Sequence, residues 1–152
     1  MKSSSTMIFS FILFALAFSA IAEEELNFKL DARTFARVKT DGQEIVVVVR
    51  RKNKEITRDM ITLDTQKKFK LHVEDYNFDG FKDFSFSYID EGQGIFSISR
   101  IFIYSPIRNN FIEAQPACGD EFLNLTVNKK NRKLISTFFE ENKPKLCKTK
   151  LQ

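Results

Sequence analysis

Nine consecutive residues, Asp75 to Asp83, carry the oxygen-bearing side chains best suited to chemistry. Counted from Asp75, carboxylate or amide oxygens stand at positions 1, 3, 5 and 9, with a glycine at position 6. This is the spacing with which a tight loop surrounds a hard cation, because alternate residues point inward and the glycine permits a positive φ. The spacing predicts a calcium loop. Its predicted ligands are Asp75, Asn77, Asp79, the carbonyl of Phe81 and Asp83.

The predicted loop is not an EF-hand, because position 12 is Phe86 where an EF-hand supplies a bidentate glutamate. We expect water, or a more distant carboxylate such as Asp90 or Glu91, to complete the coordination. A site that lacks the bidentate ligand is expected to bind calcium weakly, with a Kd of roughly 10⁻⁴ to 10⁻³ M. The alternative is a solvated turn, since Asp, Asn and Gly are favoured in turns without any metal.

The first 22 residues have the pattern of a secretory signal. Lys2 precedes an apolar run from Met7 to Phe18, and small residues lead to a cleavage site after Ala22. The sequence therefore predicts a signal peptide over residues 1–22 and a periplasmic or secreted domain over residues 23–152, with no stable membrane span after cleavage. An uncleaved anchor is the alternative. No cysteine follows the apolar run, so lipid attachment there is not expected.

The charge balance indicates which partners to expect. The formal net charge of the chain is +4, and removing residues 1–22, which contain one lysine and no acid, leaves +3. This mild positive charge favours an acidic partner surface. Nucleic acid is not expected, because basic residues are scattered among acids. The one basic cluster, Lys129 to Lys133, is interpreted as a solvated hairpin turn.

The two cysteines, Cys118 and Cys147, both lie in the predicted mature part. In an oxidising compartment an isolated pair most simply forms one disulfide. Closing a loop of this length is expected to contribute about 3 to 4 kcal/mol to stability in the chain-entropy treatment. No histidine lies near either cysteine in the sequence, so a metal pair or a catalytic thiol is disfavoured.

Apolar residues alternate over short runs along the mature chain, which is the period of a half-buried strand. The sequence predicts an all-β fold, a single antiparallel barrel-like or sandwich domain of about 8–10 short strands. Most phenylalanines fall on alternating positions, so we expect them to fill the core. The predicted strands lie near residues 26–30, 45–49, 56–63, 69–73, 84–88, 96–104, 111, 123–127, 134–138 and 146–150.

No catalytic constellation can be assembled from the residue types present. The single histidine, His72, lies on the strand face opposite Leu71 and Val73, and no serine stands in a nucleophile elbow. One histidine and two cysteines cannot supply a zinc site. A paired-carboxylate glycosidase stays open, because the separation of two carboxylates is not visible in a sequence. The residues favour a binding protein, not an enzyme.

Residues 71–112 resemble a family of small bacterial periplasmic β proteins. The resemblance rests on the segment Leu71 to Asp83, the alternating aromatic strand that follows it, and Ile103-Tyr104-Ser105-Pro106 with Phe111-Ile112 shortly after. The family includes immunity proteins that neutralise lysozyme-like effectors of a type IV secretion system, and its fold is similar to that of periplasmic inhibitors of invertebrate-type lysozyme. Members often carry a calcium-type repeat of the FG-GAP kind. The resemblance implies that Asp75, Asn77, Asp79, Asp83 and the carbonyl of Phe81 bind calcium.

The resemblance leads to the hypothesis that the mature protein binds and inhibits a lysozyme-like peptidoglycan hydrolase. An inhibitor of such an enzyme would insert a protruding loop between the catalytic carboxylates. The candidate contacts are Ser105, Arg108 and Asn109, with Ile107 beside them and with the turn from Glu91 to Gly94 as a second candidate loop. The alternative function is a non-enzymatic envelope or adhesion-type binding module that calcium stabilises.

Overall fold

The computed structural model describes residues 24–63, 65, 67–90, 92 and 95–151, and the predicted signal peptide lies outside them. Eleven strands form in the described part, so the all-β prediction is confirmed with one strand more than the upper estimate. They are β1 (Glu25–Lys29), β2 (Thr34–Asp41), β3 (Glu44–Arg51), β4 (Lys54–Thr62), β5 (Phe69–Glu74), β6 (Asp83–Asp90), β7 (Phe96–Ser105), β8 (Asn110–Ala114), β9 (Phe122–Asn128), β10 (Lys133–Glu140) and β11 (Lys143–Thr149).

The strands form two antiparallel sheets that pack as a sandwich. The small sheet has the order β1-β2-β3-β4, in which each strand pairs with the next along the chain. The large sheet has the order β11-β10-β9-β7-β6-β5, and β8 pairs with β7 beside the start of β9. The described part of the chain contains no helix long and apolar enough to cross a membrane.

The main hydrophobic core lies between the two sheets. The small sheet contributes alternating β-branched residues such as Val38 and Val47, and the large sheet contributes phenylalanines from β6 and β7. Phe84 stacks on Phe102 with ring centroids 4.8 Å apart, and Phe111 meets Phe84 edge to face. Each fully buried side chain of this size contributes about 1.5 to 3 kcal/mol. This confirms that the alternating phenylalanines fill the core.

A second, smaller core covers the opposite face of β7. Ile101 comes directly before Phe102 on the strand and therefore points to the opposite face, away from the small sheet. There it packs with Phe122, Leu134 and Tyr76. The strand β9 pairs with β7 through two residues only, and a register shift separates the two halves of its pairing with β10. The β9–β10 hairpin thereby reaches the loop that contains Tyr76, which fixes that loop against the large sheet.

The disulfide between Cys118 and Cys147 is present, with Cα atoms 5.8 Å apart. It ties β11, an edge strand of the large sheet, to the segment that connects β8 and β9. The sequence predicted this last strand from Leu146, whereas β11 begins at Lys143 and includes Pro144. Proline and lysine are tolerated there because an edge strand has one side without ladder hydrogen bonds.

Candidate calcium site

The predicted calcium loop connects β5 to β6 at one end of the large sheet. Glu74 and Asp83 pair across the base of the loop, so residues 75–82 span the gap between two hydrogen-bonded strands. Phe78 and Gly80 both have positive φ, at 63° and 95°. A Cβ at Gly80 would meet no atom within 4 Å, so the glycine is required for its backbone conformation and not for space.

The polar side chains of the loop turn inward and accept hydrogen bonds from its own backbone. The two oxygens of Asp75 accept from the N–H groups of Asp79 (3.1 Å) and Gly80 (2.9 Å). Asp79 accepts from the N–H of Phe81 at 2.8 Å, and the amide of Asn77 donates to Asp79 at 2.8 Å. These bonds tie the side chains at positions 1, 3 and 5 to the backbone of the same loop and to each other.

Asp83, at position 9, lies beneath the loop and is completely buried. One of its oxygens accepts the N–H of Tyr76 at 2.8 Å, and the other accepts the N–H of Tyr104 at 2.9 Å. Burial raises the pKa of Asp83 to about 7, against the two hydrogen bonds that lower it, and the charges of Asp79 and Asp75 raise it further. Asp83 therefore joins the predicted calcium loop to the end of β7.

The oxygen donors of the loop are of the chemical type that binds a hard cation. Asp75 and Asp79 form no ion pair with a lysine or arginine of the described residues, and their charges disfavour the ionised form of Asp83. A cation would neutralise this excess of negative charge. Among the same residues, however, no three acidic, histidine or cysteine side chains are gathered at one point, because Asp83 faces the two backbone amides. The carbonyl of Phe81 and the amide oxygen of Asn77 are the further donors in the loop.

The expectation that Asp90 completes the coordination is wrong. Asp90 is the last residue of β6 and Asp83 is the first, so the strand separates them by roughly 20 Å at about 3.3 Å per residue. Asp90 forms an ion pair with Lys67 instead. Glu91, the other carboxylate considered, lies outside the described residues. Water is then the expected source of the remaining ligands.

Side chains from three neighbouring elements hold the loop in place. Tyr76 is buried, and its hydroxyl lies 2.7 Å from the hydroxyl of Ser85. The ring of Phe81 meets the ring of Tyr104 with centroids 5.7 Å apart. Arg132 of the β9–β10 hairpin donates to the carbonyl of Phe78 and lies 6.0 Å from the centre of its ring. Sequence reasoning missed Arg132, because nothing in the spacing of the hairpin indicates that it reaches the loop.

The predicted partner residues lie on the β7–β8 hairpin, where they have different roles. The side chain of Asn109 accepts from Arg51 at 2.6 Å, and its carbonyl accepts the hydroxyl of Thr57 at 2.6 Å. Asn109 thus links the hairpin to the small sheet, and its positive φ of 53° fits an asparagine in a tight turn. Ser105 accepts the N–H of Arg108 at 3.4 Å.

The tip of this hairpin projects into solvent. Ile107 is 93% exposed, the most exposed of the large hydrophobic residues described, and Arg108 beside it is also exposed. Asn109 therefore has a structural role, whereas the exposed side chains of Ile107 and Arg108 are free to contact a partner. The second candidate loop, from Glu91 to Gly94, lies largely outside the described residues.

Four connections meet at the same end of the sandwich, which we call the loop end. The turn at residues 30–33 bonds to Lys52 of the β3–β4 turn, Arg51 bonds to Asn109 at the base of the β7–β8 hairpin, and Asp83 joins Tyr104 at that base to the predicted calcium loop. Four cations of the loop end form no ion pair with any described residue. They are Arg33, Lys52, Lys54 and Arg108. The loop end thus carries four unpaired cations beside the carboxylates of Asp75 and Asp79, and an exposed isoleucine lies at the tip of its hairpin.

His72 lies on the outer surface of β5, as its position in the alternation predicted. It is exposed, and its Nε2 lies 3.1 Å from the hydroxyl of Ser87. No carboxylate of the described residues bonds to the ring, so the pair lacks the third group that orients a catalytic histidine.

The fold and site together define a disulfide-linked, all-β sandwich domain with an acidic loop at one end. No known protein family matches the chain, and neither the curated proteins nor the solved structures contain a match to it.

Proposed function

We propose that the protein is an exported, non-enzymatic, calcium-stabilised β protein that binds and inhibits a lysozyme-like peptidoglycan hydrolase. The observation that carries this proposal is the hairpin tip, where Ile107 is 93% exposed and Arg108 beside it is exposed and forms no ion pair with a described residue. A lysozyme-like cleft contains two catalytic carboxylates and is therefore complementary in charge. The resemblance of residues 71–112 to immunity proteins supports the same partner.

The hairpin is built to keep its shape when it binds. Its base is held by the bonds of Asn109 to Arg51 and Thr57 and by the bond of the Tyr104 N–H to Asp83. A contact surface that is rigid before binding loses less conformational entropy on association. In the proposed complex the guanidinium of Arg108 forms charge-assisted hydrogen bonds with a carboxylate of the cleft, and Ile107 fills an apolar subsite.

Calcium has a structural role in this proposal. Asp75, Asn77, Asp79 and the carbonyl of Phe81 would hold the ion, with Asp83 beneath them. The ion supplies positive charge that offsets the repulsion among the carboxylates of the loop. Because Asp83 bonds to both the loop and Tyr104, an ordered loop supports the base of the hairpin.

Calcium is expected to bind to the loop with a Kd of roughly 10⁻⁴ to 10⁻³ M, which isothermal titration calorimetry can measure. At 10 mM calcium this affinity would stabilise the fold by about 1.5 to 3 kcal/mol through preferential binding to the native state. Asp79→Ala should abolish the heat of binding, whereas Asp120→Ala, which removes an exposed carboxylate elsewhere, should not. If Asp79→Ala bound calcium as well as the parent protein does, residues 75–83 would be a turn that binds no metal.

The inhibitory contact is tested by lysis of a peptidoglycan suspension with a panel of lysozyme-like enzymes. The mature protein is expected to suppress one of them, and Ile107→Ala with Arg108→Ala should weaken the inhibition about 100-fold, as expected for central interface residues. The matched control is Leu146→Ala with Lys148→Ala, which removes an exposed apolar residue and a cation from β11. Inhibition that is unchanged by the tip substitutions would show that the contact lies on another surface of the protein. Lysis that no dose of protein suppresses would favour the envelope-binding module.

A further inference from the structure

A second charged surface lies beside the calcium loop, where the β9–β10 hairpin approaches it. A cavity of about 320 Å³ opens there, which we call the basic pocket. Three cations and two carboxamides line it, and no acidic residue does. The lining residues are Asn77, Asn131, Arg132, Lys133 and Lys150.

Two of these cations lie next to the last paired position of β10 and β11. Leu134 of β10 pairs with Thr149, the last residue of β11, and Lys133 and Lys150 are the residues that adjoin this pair. Like charges at neighbouring cross-strand positions are destabilising. Neither lysine forms an ion pair with a described residue. The arrangement therefore has an electrostatic cost that a bound anion would remove.

The nearby acids are already engaged elsewhere. Glu74 pairs with Lys129, which does not line the pocket. Asp75 and Asp79 direct their oxygens to the amides of their own loop. No carboxylate of the described residues lines the pocket or forms an ion pair with Lys133 or Lys150.

Two of the donors are held in position before any ligand arrives. Arg132 is fixed by its hydrogen bond to the carbonyl of Phe78 and by its contact with the Phe78 ring. One N–H of Asn77 is fixed by Asp79, which leaves the second for a ligand. Donors on several sides suit a tetrahedral oxyanion better than a planar carboxylate, which is best met by a single bidentate arginine.

From this arrangement we infer that the basic pocket binds the phosphate group of a phosphate ester, with Lys133, Lys150, Arg132 and the two carboxamides as its donors. The cavity is larger than a phosphate alone, so part of the attached group enters with it. The phosphate can come from a phosphorylated glycan or from a phospholipid headgroup. The inference rests on the described contacts and is independent of hydrolase inhibition.

The test uses the mature protein with two probes in millimolar calcium, glucose 1-phosphate and vesicles of phosphatidylglycerol. Saturable shifts of the backbone amide signals of Asn77, Arg132 and Lys133 on addition of glucose 1-phosphate are expected in NMR spectra. Lys133→Gln with Lys150→Gln should weaken binding about tenfold or more, because it removes two charge-assisted contacts. The matched control is Lys130→Gln with Lys148→Gln, which removes two cations outside the pocket and should stay within about twofold.

The two probes distinguish the sources of the phosphate. Vesicle binding that glucose 1-phosphate displaces would assign the lipid headgroup, and sugar phosphate binding without vesicle binding would assign a glycan. Two outcomes would overturn the inference. One is the absence of pocket shifts with either probe, and the other is an equal loss of affinity in the pocket and control variants, which would indicate only a general electrostatic attraction.

Discussion

Asp83→Ala is expected to lower the free energy of unfolding by about 3 kcal/mol near pH 4, because it leaves two buried backbone N–H groups without acceptors. These are the N–H groups of Tyr76 and Tyr104, at 2.8 and 2.9 Å in the structure. Asp83→Asn should cost less, since an amide keeps one acceptor oxygen. Urea unfolding, with Asp120→Ala as the exposed-carboxylate control, measures the difference. A loss below about 0.5 kcal/mol, the size of an ordinary surface effect, would contradict the role of Asp83 as the link.

The stability cost of Asp83→Ala should depend on pH in a defined direction. Burial raises the folded-state pKa of Asp83 to about 7, above the usual unfolded value near 4. The stability that this carboxyl contributes in calcium-free protein is therefore fully present below about pH 4 and is lost as the pH rises toward 7. The cost of Asp83→Ala should shrink over this range in calcium-free buffer. Calcium favours the ionised carboxyl, so it should restore the cost at pH 8.

Replacing Cys118 and Cys147 by alanine is expected to cost about 3 to 4 kcal/mol, since the bond closes a long loop in the unfolded chain. The bond also fastens the edge strand β11, whose Cys147 is buried. Equilibrium unfolding in urea should show a lower midpoint and a steeper slope, because the unfolded chain without the bond is more expanded.

Hydrogen exchange separates the local from the global effect of this double substitution. Amides of β11 and of residues 115–121 should lose more protection than those of β3, which lies in the other sheet. A midpoint unchanged from that of the parent protein would show that the packing of β9, β10 and β11 alone sets the stability.

The strands were visible in the sequence because alternation has a local physical cause. Each run such as Phe84, Phe86, Tyr88 has one face in the core, and that face determines where apolar residues must stand. The pairing order was not visible. β9 contacts β7 through two residues and then covers its outer face. This arrangement depends on contacts between residues far apart in the chain, which the local alternation of apolar residues does not reveal.

The sequence predicted the spacing of the polar residues in the loop, but it did not predict that Asp83 would be buried. Oxygens at alternate positions and Gly80 indicated the loop, and in the structure Asp75 and Asp79 accept hydrogen bonds from backbone amides of that loop. The burial of Asp83 depends on Tyr104, which is 21 residues away, and the role of Asn109 depends on Arg51 and Thr57 in the other sheet. Only the positive φ of Asn109 has a local signal, since asparagine is favoured in such turns.

The most direct test of the account compares hydrolase inhibition by the same mature protein in millimolar calcium and in excess chelator. Lysis of peptidoglycan by a lysozyme-like enzyme is expected to be suppressed in calcium. Inhibition should be about tenfold weaker after chelation, because the calcium loop supports the base of the hairpin through Asp83. Inhibition of equal strength in both buffers would contradict the coupling of the loop to the tip. Lysis that is never suppressed in calcium would contradict the proposed function.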